Sequence, residues 1–451
     1  MLTKKQLKQA IVNESSDIRT AMISIKLTGL SIAVIVNNHN IVIGVISDGD
    51  IRKQLLINDS MQILVTECMT RDFAYLVEGY QREELLKLLD YKIHKIPVLN
   101  AKGELVDIIG SGSNVTGFTK ISRARTPARV SLSGGGTDFT KYFMDQGGAG
   151  LSCTIAKYSH AVLKKRTDQK IKIYSHDFKQ NIQLESIDNI QYDGKLDLIK
   201  AGVKLLKPNF GFELEIGGDF PPSSGLGGSA SLLASVIGCF NEFREHRLDR
   251  YAIAEYAFEV ERIELDIAGG WQDQYSTVFG GFNYLEFDRK HNVVMPLKLE
   301  SNSIREIEER LVICHTGRSH LGTIIQKDNH KKSSKLDSKQ NSERLKEITI
   351  EMKNNLLRSK YDDFAILLNE TWSIKKDNDP RVTNSELDKI YDTALSSGAL
   401  SGRLLGTGGG GYFIFYVPPF TRYSVIESLK SLGLQPEEVI IDQQGLRSWK
   451  V

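Results

Sequence analysis

Short apolar runs rich in β-branched residues alternate with polar turns along the first 110 residues, and this pattern predicts strands. Two of these runs, Ser31–Val36 and Ile41–Ser47, are followed by a helical stretch. About 63 residues later a helical stretch precedes two similar runs, Lys95–Asn100 and Leu105–Gly110. The pattern therefore predicts a small α/β domain built from an internal β-α-β-β-α repeat.

The rest of the chain predicts longer strands and helices in mixed order. The strand-like runs are LSCTIA, YSHAVLKKR, IKIYSHDF, FELEIGGDF and Tyr412–Val417. Helices are predicted over residues 195–206, from Ser229 to Cys239, and over Arg250–Leu265. In the last of these, apolar residues recur at helical spacing, namely Ile253, Tyr256, Ala257, Val260 and Ile263. This mixture predicts an α+β fold for the second part.

The segment Gly110–Ser122 is rich in Gly, Ser and Thr, which is typical of an interdomain linker. We therefore expect two domains, residues 1–118 and residues 119–451. A second polar segment, Lys327–Glu347, predicts a solvated helix or mobile flap, with a substrate lid as the sharper alternative.

Composition narrows the functional classes. The 451 residues are 41% hydrophobic and 25% charged, as in ordinary globular proteins, and the formal charge of +2 argues against bulk binding to nucleic acid or anionic membranes. The four cysteines are scattered without a C-x-x-C motif, which indicates reduced thiols. No run of 18 apolar residues and no secretory signal occur, so we expect a cytoplasmic protein.

The most informative stretch is Gly217–Cys239, where a loop with three glycines within Ser223–Gly228 leads directly into an apolar helix. Glycine allows positive φ and lets the backbone approach a ligand. Backbone N–H groups at a helix N-terminus, together with the helix dipole, favour a phosphate group there. No lysine follows the glycines, so this is not a Walker loop. A glycine-rich turn before a core helix is the alternative.

A second glycine segment, Gly134–Asp138, follows the strand pattern RVSLS. We expect this turn to present Thr137 and Asp138 to a ligand, since a carboxylate can accept hydrogen bonds from sugar hydroxyls. Arginines on the strand, Arg125 and Arg129, supply fixed positive charge for a phosphate. A strand-edge turn with a solvated aspartate is the alternative.

Two acids and a third glycine segment complete the candidate chemistry. Glu261 and Asp273 lie 12 residues apart across a Gly-Gly turn. The third segment, Gly406–Gly411, formally matches a dinucleotide fingerprint, but a strand follows it instead of a helix. A dinucleotide site is therefore not predicted, and these glycines serve another turn.

These three glycine motifs, with the acid pair between the second and third, resemble the GHMP kinases from about Ser122 to the C-terminus. The family's second motif, P-x-x-x-G-L-G-S-S-A, is matched except that Gly228 replaces its first serine. The runs RTPARVSLSGGGTD, FPPSSGLGGS, GGWQDQYSTVFGGFNY and LLGTGGGGYFIFYVP look most like the heptose 7-phosphate kinase branch. The resemblance implies a two-lobed kinase fold with the active site between the lobes.

The resemblance also implies roles for residues. Asp273 would orient or accept the proton of the attacking hydroxyl. Arg125 and Arg129 would stabilise the substrate or the transferring phosphate, Arg129 as a catalytic residue. Ser229 and Glu261 would hold Mg²⁺. The substrate-binding residues would be Arg125, Gly136, Thr137 and Asp138. The ATP-binding residues would be Pro222, Ser223, Ser224, Gly225, Leu226, Gly227, Gly228, Ser229, Gly408 and Gly409.

The N-terminal repeat resembles a CBS domain pair, a module that commonly senses adenine nucleotides. Its most specific element is Ser47–Arg52, which matches the family's S/T-D-G-D-I-R run. The resemblance implies that Asp50 contacts the ribose of a regulatory nucleotide, whereas the second repeat has no acid at Gly110–Ser113. A dimerisation or docking module is the alternative, and we expect a homodimer.

Together these features predict a kinase that uses ATP and Mg²⁺ to phosphorylate the anomeric hydroxyl of a heptose 7-phosphate for nucleotide-sugar and surface polysaccharide synthesis. Two alternatives stay open at this point. One is a kinase of the same fold acting on another sugar such as fucose. The other is a catalytically inactive nucleotide-sensing protein.

Overall fold

The computed structural model describes residues 4–58, 60–110, 121–318 and 336–451. The chain forms two compact units, Met1–Thr119 and Lys120–Val451. Residues 111–120, most of the predicted linker, and residues 319–335, which include the first part of the predicted polar segment, lie outside the described residues.

The first unit contains two small sheets with the same topology. Its helices are α1 (Lys4–Ala10), α2 (Ile18–Thr28), α3 (Asp48–Ile57) and α4 (Arg82–Asp90). Its strands are β1 (Ile11–Asn13), β2 (Ile32–Val36), β3 (Val42–Ser47), β4 (Leu76–Val77), β5 (Lys95–Leu99) and β6 (Leu105–Gly110). In each sheet the first strand pairs parallel with the second, and the second pairs antiparallel with the third. The predicted internal repeat is thus also a repeat of strand topology.

The second unit contains one large and one small sheet. Its strands are β7 (Ile121–Ser133), β8 (Gly148–Lys165), β9 (Ile171–Ser175), β10 (Gln180–Leu184), β11 (Phe212–Gly218), β12 (Phe282–Phe287), β13 (Asn292–Pro296), β14 (Leu311–His315), β15 (Ser401–Leu404), β16 (Tyr412–Tyr416), β17 (Pro436–Glu438) and β18 (Arg447–Lys450). The larger sheet has the order β10-β9-β11-β8-β12-β13, with β7 bridging β8 and β18. The smaller sheet has the order β15-β16-β14-β17.

The helices of this unit are α5 (Thr140–Gln146), α6 (Asp197–Leu206), α7 (Gly228–Asn241), α8 (Arg250–Phe258), α9 (Gln272–Phe279), α10 (Ser301–Arg310), α11 (Leu336–Leu357), α12 (Tyr361–Asn378), α13 (Ser385–Ser396) and α14 (Arg422–Ser431). Helix α7 is buried almost all round because it carries no charged residue. It packs on β7 and β8 of the large sheet. Mixed helices and strands confirm the predicted α+β class.

The helix predicted over Arg250–Leu265 is not regular throughout. Helix α8 ends at Phe258, and Glu259–Glu264 forms a π-helical turn. A π turn accommodates an extra residue, so the face that points inward changes. Ile263, predicted on the apolar stripe, is consequently 72% exposed, whereas Glu261 is buried. Val260 is buried as predicted, so the 3.6-residue periodicity fails only at Ile263.

Candidate active site

The glycine loop joins strand β11 to helix α7 and presents the N-terminus of that helix. Ser223, Gly225 and Gly227 all have positive φ, at 56°, 82° and 71°. Gly227 precedes the first turn of α7 without any side-chain cap, and Ser229 is exposed on that turn. The first N–H groups of a helix have no acceptor within the helix, so this loop can receive an anionic group.

The glycine loop is packed tightly on both sides, which explains its composition. A methyl group added to Gly227 would lie 2.9 Å from Cγ of Arg129, and one added to Gly225 would lie 2.7 Å from the Leu405 carbonyl oxygen. Tyr412 N–H donates to the Ser224 carbonyl at 3.0 Å. The glycine loop Ser223–Gly228 therefore packs directly against Arg129 of β7 on one side and against the residues that flank Gly406–Gly411 on the other.

Two loop residues turn inward. Leu226 is fully buried and belongs to the core of this unit. Ser224 is also buried, and its hydroxyl has no hydrogen-bond partner among the described residues. The exposed part of the loop comprises Pro221, Pro222, Ser223 and Ser229. The side chains that can meet a ligand directly are thus fewer than the ten predicted ATP-binding positions.

Arg129 and Asp273 form a two-point ion pair. Arg129 Nε and Nη2 donate to the two Asp273 carboxylate oxygens at 2.6 and 2.7 Å, and Nη1 donates to the Gly225 carbonyl at 2.5 Å. Arg129 is only 6% exposed, whereas the Asp273 side chain is 29% exposed. Arg129 therefore fixes the orientation of a reachable carboxylate and ties it to the glycine loop.

Asp138 is attached to the start of the helix that carries Asp273. Its two carboxylate oxygens accept hydrogen bonds from Gly136 N–H and Gln272 N–H, each at 3.0 Å. Burial raises the pKa of Asp138, and the charge of Asp273 adds to that shift. Each carboxylate oxygen retains further acceptor capacity. The structure thus brings the glycine turn Gly134–Asp138 next to the start of helix α9, which carries Asp273.

The structure contradicts the expectation that Thr137 faces a ligand. Its side chain is fully buried, and its hydroxyl lies 2.9 Å from the Gly134 carbonyl oxygen and 2.8 Å from that of Ala149. It therefore holds the glycine turn in place. At Gly136, φ is 103° and an added methyl group would meet no atom within 4 Å, so this position stays open to a ligand.

Arg125 is not brought to the acid pair. Its guanidinium lies 4.9 Å from the centre of the Tyr158 ring, and Arg447 lies 5.5 Å from the same ring. Four residues along a strand separate Arg125 from Arg129 by roughly 13 Å. Arg125 thus stacks on Tyr158 at the β7–β18 edge, and its substrate-binding role stays a prediction.

The two predicted metal residues sit on different elements. Ser229 lies on the first turn of α7, and Glu261 lies on the π turn, where it is 1% exposed and accepts a hydrogen bond from Gln274. Among the described residues no group of three or more His, Cys, Asp or Glu forms a metal cage. Mg²⁺ usually takes one or two protein ligands beside phosphate oxygens and water, so this sparse donor set fits it.

The glycines of the third motif pack on two different neighbouring segments. Gly409 N–H donates to the Val382 carbonyl at 2.8 Å, and a methyl group on Gly408 would lie 2.6 Å from Cβ of Val382. These two glycines therefore pack on the turn Pro380–Val382. Gly406 lies against the glycine loop, since its added methyl group would lie 2.5 Å from Cα of Gly225. Gly406 is thus the glycine of this motif that packs on the glycine loop, while ATP binding by Gly408 and Gly409 stays a prediction.

Sequence reasoning missed two cations, Lys375 on α12 and Arg403 on β15. Lys375 Nζ donates to the carbonyl oxygens of Leu404 at 3.0 Å and Gly406 at 2.6 Å. Arg403 Nη1 donates to the Leu132 carbonyl at 2.7 Å. Burial lowers the pKa of Lys375 well below its ordinary value and that of Arg403 to about 10, and neighbouring arginines add to both shifts. The one available signal was the position of Arg403 just before the third motif.

In the first unit, Asp50 lies in the first turn of helix α3. Its carboxylate accepts hydrogen bonds from Ser47 N–H at 2.9 Å and from the Ser47 hydroxyl at 2.6 Å, and Asp50 N–H donates back to that hydroxyl. This is a capping box, which by itself explains the sequence pattern. A cavity of about 790 Å³ in the same unit is lined by Asp48, Arg19 and Lys26 together with apolar side chains.

A glycine loop at a helix N-terminus beside an arginine-bound aspartate defines an enzyme of the phosphoryl-transfer class. The family model for the GHMP kinases N terminal domain matches residues 197–281, and that for the GHMP kinases C terminal domain matches residues 352–433. A relative from Campylobacter jejuni, D-glycero-alpha-D-manno-heptose 7-phosphate kinase, is 36% identical over 340 residues, which are 74% of this chain and 100% of the relative. The chain belongs to the GHMP kinase family and is an ATP-dependent kinase that uses Mg²⁺.

Solved structures agree with this assignment. A sugar kinase from Campylobacter jejuni has a TM-score of 0.63 and 35% identity, covering 74% of this chain and 99% of its own. A D-glycero-D-manno-heptose 1-phosphate kinase from Bacteroides thetaiotaomicron has a TM-score of 0.62 and 27% identity, covering 73% of this chain and 99% of its own. In the first unit a CBS domain matches residues 65–112, the second half of the repeat. No helix in the described ranges is long and apolar enough to cross a membrane.

Proposed function

We propose that this kinase transfers the γ-phosphoryl group of ATP to the anomeric hydroxyl of a heptose 7-phosphate, and that residues 119–451 carry the whole reaction. The observation that supports it most is the Arg129–Asp273 pair, which holds a reachable carboxylate beside the glycine loop. The similarity to a heptose 7-phosphate kinase over the full length of that relative supports the substrate class. The product would feed nucleotide-sugar and surface polysaccharide synthesis, in the cytoplasm.

Each residue has a part in the proposed reaction. The glycine loop binds the ATP phosphates through backbone N–H groups, and Mg²⁺, which neutralises phosphate charge when bound, is held by Ser229 and Glu261. Asp138 accepts hydrogen bonds from sugar hydroxyls through the acceptor sites left on its carboxylate. Asp273 orients the anomeric hydroxyl and takes its proton as the new O–P bond forms. Arg129 holds the Asp273 carboxylate in place through two hydrogen bonds.

A substrate panel tests the proposed acceptor. With ATP and Mg²⁺, we expect ADP release to be at least about 100-fold faster, as kcat/KM, with D-glycero-D-manno-heptose 7-phosphate than with galactose, fucose or mannose, because unmatched polar groups in a binding site cost several kcal/mol. Preference for fucose would favour the second candidate, a fucose kinase of the same fold. ATP binding without transfer to any sugar would favour an inactive nucleotide sensor.

We also propose that residues 1–118 regulate the kinase by binding an adenine nucleotide through Asp50. Asp50→Ala should abolish any effect of AMP or ATP on turnover. Because Asp50 also caps helix α3, the substitution should lower the stability of this unit by about 1 kcal/mol. Ser47→Ala removes the same cap and keeps the carboxylate, so it is the matched control. A nucleotide effect that survives Asp50→Ala, or that Ser47→Ala abolishes equally, would contradict ribose binding by Asp50.

We further propose that the chain forms a homodimer through its first unit. Helices α2 and α3 expose large apolar side chains, namely Ile23, Leu27, Leu56 and Ile57. Ile23 and Leu27 lie one turn apart on α2, and Leu56 and Ile57 are adjacent on α3, so each helix presents an exposed apolar pair that a protein partner can cover. Light scattering of the purified protein tests this proposal, and a monomer mass at micromolar concentration would contradict it.

A further inference from the structure

Positive charge exceeds negative charge where α12 and β15 approach the glycine loop. Arg129 is neutralised by Asp273. In the described part of the chain, Lys375 and Arg403 form no ion pair, and their hydrogen-bond partners are carbonyl oxygens and the Thr371 hydroxyl. Arg403 is buried, and its Nε has no hydrogen-bond partner among those residues. Uncompensated buried cations are costly, so this arrangement favours an anionic ligand.

Lys375 retains a donor for such a ligand. Two of the three N–H groups of its ammonium are directed at the Leu404 and Gly406 carbonyls, which leaves one. Lys375 as a whole residue is half-buried. The two acceptors belong to β15 and the third glycine motif, so Lys375 does not cap its own helix. Burial and the charges of Arg403 and Arg129 lower its pKa, and an adjacent anion would offset that shift.

A short path connects Lys375 to the reacting groups. The Gly406 carbonyl accepts from Lys375, and Gly406 itself packs against Gly225. The Gly225 carbonyl in turn accepts from Arg129 at 2.5 Å. Lys375 and Arg129 are therefore anchored to the two sides of one backbone junction, where the second and third glycine motifs meet.

We infer that Lys375 binds the phosphoryl group during its transfer, on the side of the junction opposite Arg129. This inference rests on the proposed kinase reaction and adds a residue to it. In that step the bond between the γ-phosphorus and the β–γ bridging oxygen breaks, a bond from the acceptor oxygen forms, and the hydroxyl proton passes to Asp273, leaving ADP. Lys375 gives its third N–H to an equatorial oxygen of the moving group. Arg403 is a positioning residue that holds β15 against Leu132.

Lys375→Met tests this role, because it keeps the length of the side chain and removes the ammonium. We expect kcat to fall about 10²-fold, the scale for loss of one transition-state donor. The affinity for ADP with aluminium fluoride, a mimic of the phosphoryl group in transit, should fall by a similar factor, while the affinity for ADP alone stays within about twofold. Lys376→Met is the control. Both ammonium groups lie 5.6 Å from the centre of the Trp372 ring, but Lys376 also lies over the Tyr391 ring, whereas Lys375 donates to the Leu404 and Gly406 carbonyls.

Lys375→Arg keeps the positive charge and should therefore keep part of the wild-type affinity for ADP with aluminium fluoride. This variant can be measured even if Lys375→Met unfolds. Equal affinity of wild type and Lys375→Met for ADP with aluminium fluoride would overturn the inference. An equal loss of affinity for ADP with and without aluminium fluoride would also overturn the inference, since a purely structural role of Lys375 predicts that result. If the wild-type protein fails to phosphorylate the heptose phosphate, the substrate proposal is wrong, but the binding comparison still decides the role of Lys375.

Discussion

Asp273→Asn should lower kcat about 10³-fold, within the range for loss of a group that accepts a proton. The amide keeps the shape of the side chain, but it cannot take up the hydroxyl proton, and it presents an NH₂ group where Arg129 now finds a second carboxylate oxygen. The substrate should still bind, because Asp138 and the glycine loop are unchanged. The loss should therefore appear in kcat, with the dissociation constant of ATP changed less than about threefold.

Stopped-flow or steady-state ADP release measures kcat, and calorimetry measures ATP binding. Asp145→Asn is the matched control, since Asp145 is an exposed aspartate of the same unit with a 3.4 Å surface pair to Arg289. We expect this control to keep wild-type turnover. Wild-type turnover of Asp273→Asn would rule out Asp273 as the proton acceptor.

Gly227→Ala should have the second-largest effect. At Gly227, φ is 71°, which costs a non-glycine residue roughly 1–2 kcal/mol. The new methyl group would also lie 2.9 Å from Cγ of Arg129, so the arginine must shift. Because Arg129 aligns Asp273 and binds the Gly225 carbonyl, we expect kcat to fall about 10²-fold, the scale for a misplacement of about 1 Å.

Gly433→Ala separates backbone strain from this clash. Gly433 also has a positive φ, 80°, but a methyl group there would meet no atom within 4 Å. Both variants should lose unfolding free energy because of the positive φ, measured by urea denaturation, and Gly227→Ala should lose more because of the clash. Only Gly227→Ala should lose activity. Full activity of Gly227→Ala would show that the position of Arg129 does not limit turnover.

The features that could be predicted from the sequence are those determined by residues close together along the chain. Glycine spacing located the loop Ser223–Gly228, and alternation of apolar residues located β2, β3, β5 and β6 within one or two residues. The glycine turn before Asp138 was also predicted from composition alone. These features depend on φ preferences and on periodicity, which neighbouring residues determine.

Features that depend on packing between distant segments could not be predicted in this way. Whether Thr137 points outward depends on Ala149, which lies 12 residues away on another strand. Arg125 and Arg129 look equivalent in sequence. In the structure, however, Arg125 stacks on the Tyr158 ring, which Arg447 also contacts, while Arg129 forms an ion pair with Asp273. The π turn at Glu259–Glu264 has no signature in a 3.6-residue pattern. Lys375 acquires its setting from carbonyl groups about 30 residues further along the chain.

Phosphorus-31 NMR tests the central proposal most directly. The purified full chain is incubated with ATP, Mg²⁺ and D-glycero-D-manno-heptose 7-phosphate, beside the unphosphorylated sugars and the Asp273→Asn variant. We predict a new anomeric phosphate resonance, with coupling to the C1 proton, while the 7-phosphate resonance persists and ADP accumulates in equal amount. ADP formation without an anomeric phosphate, or transfer only to another sugar, would contradict the proposed function.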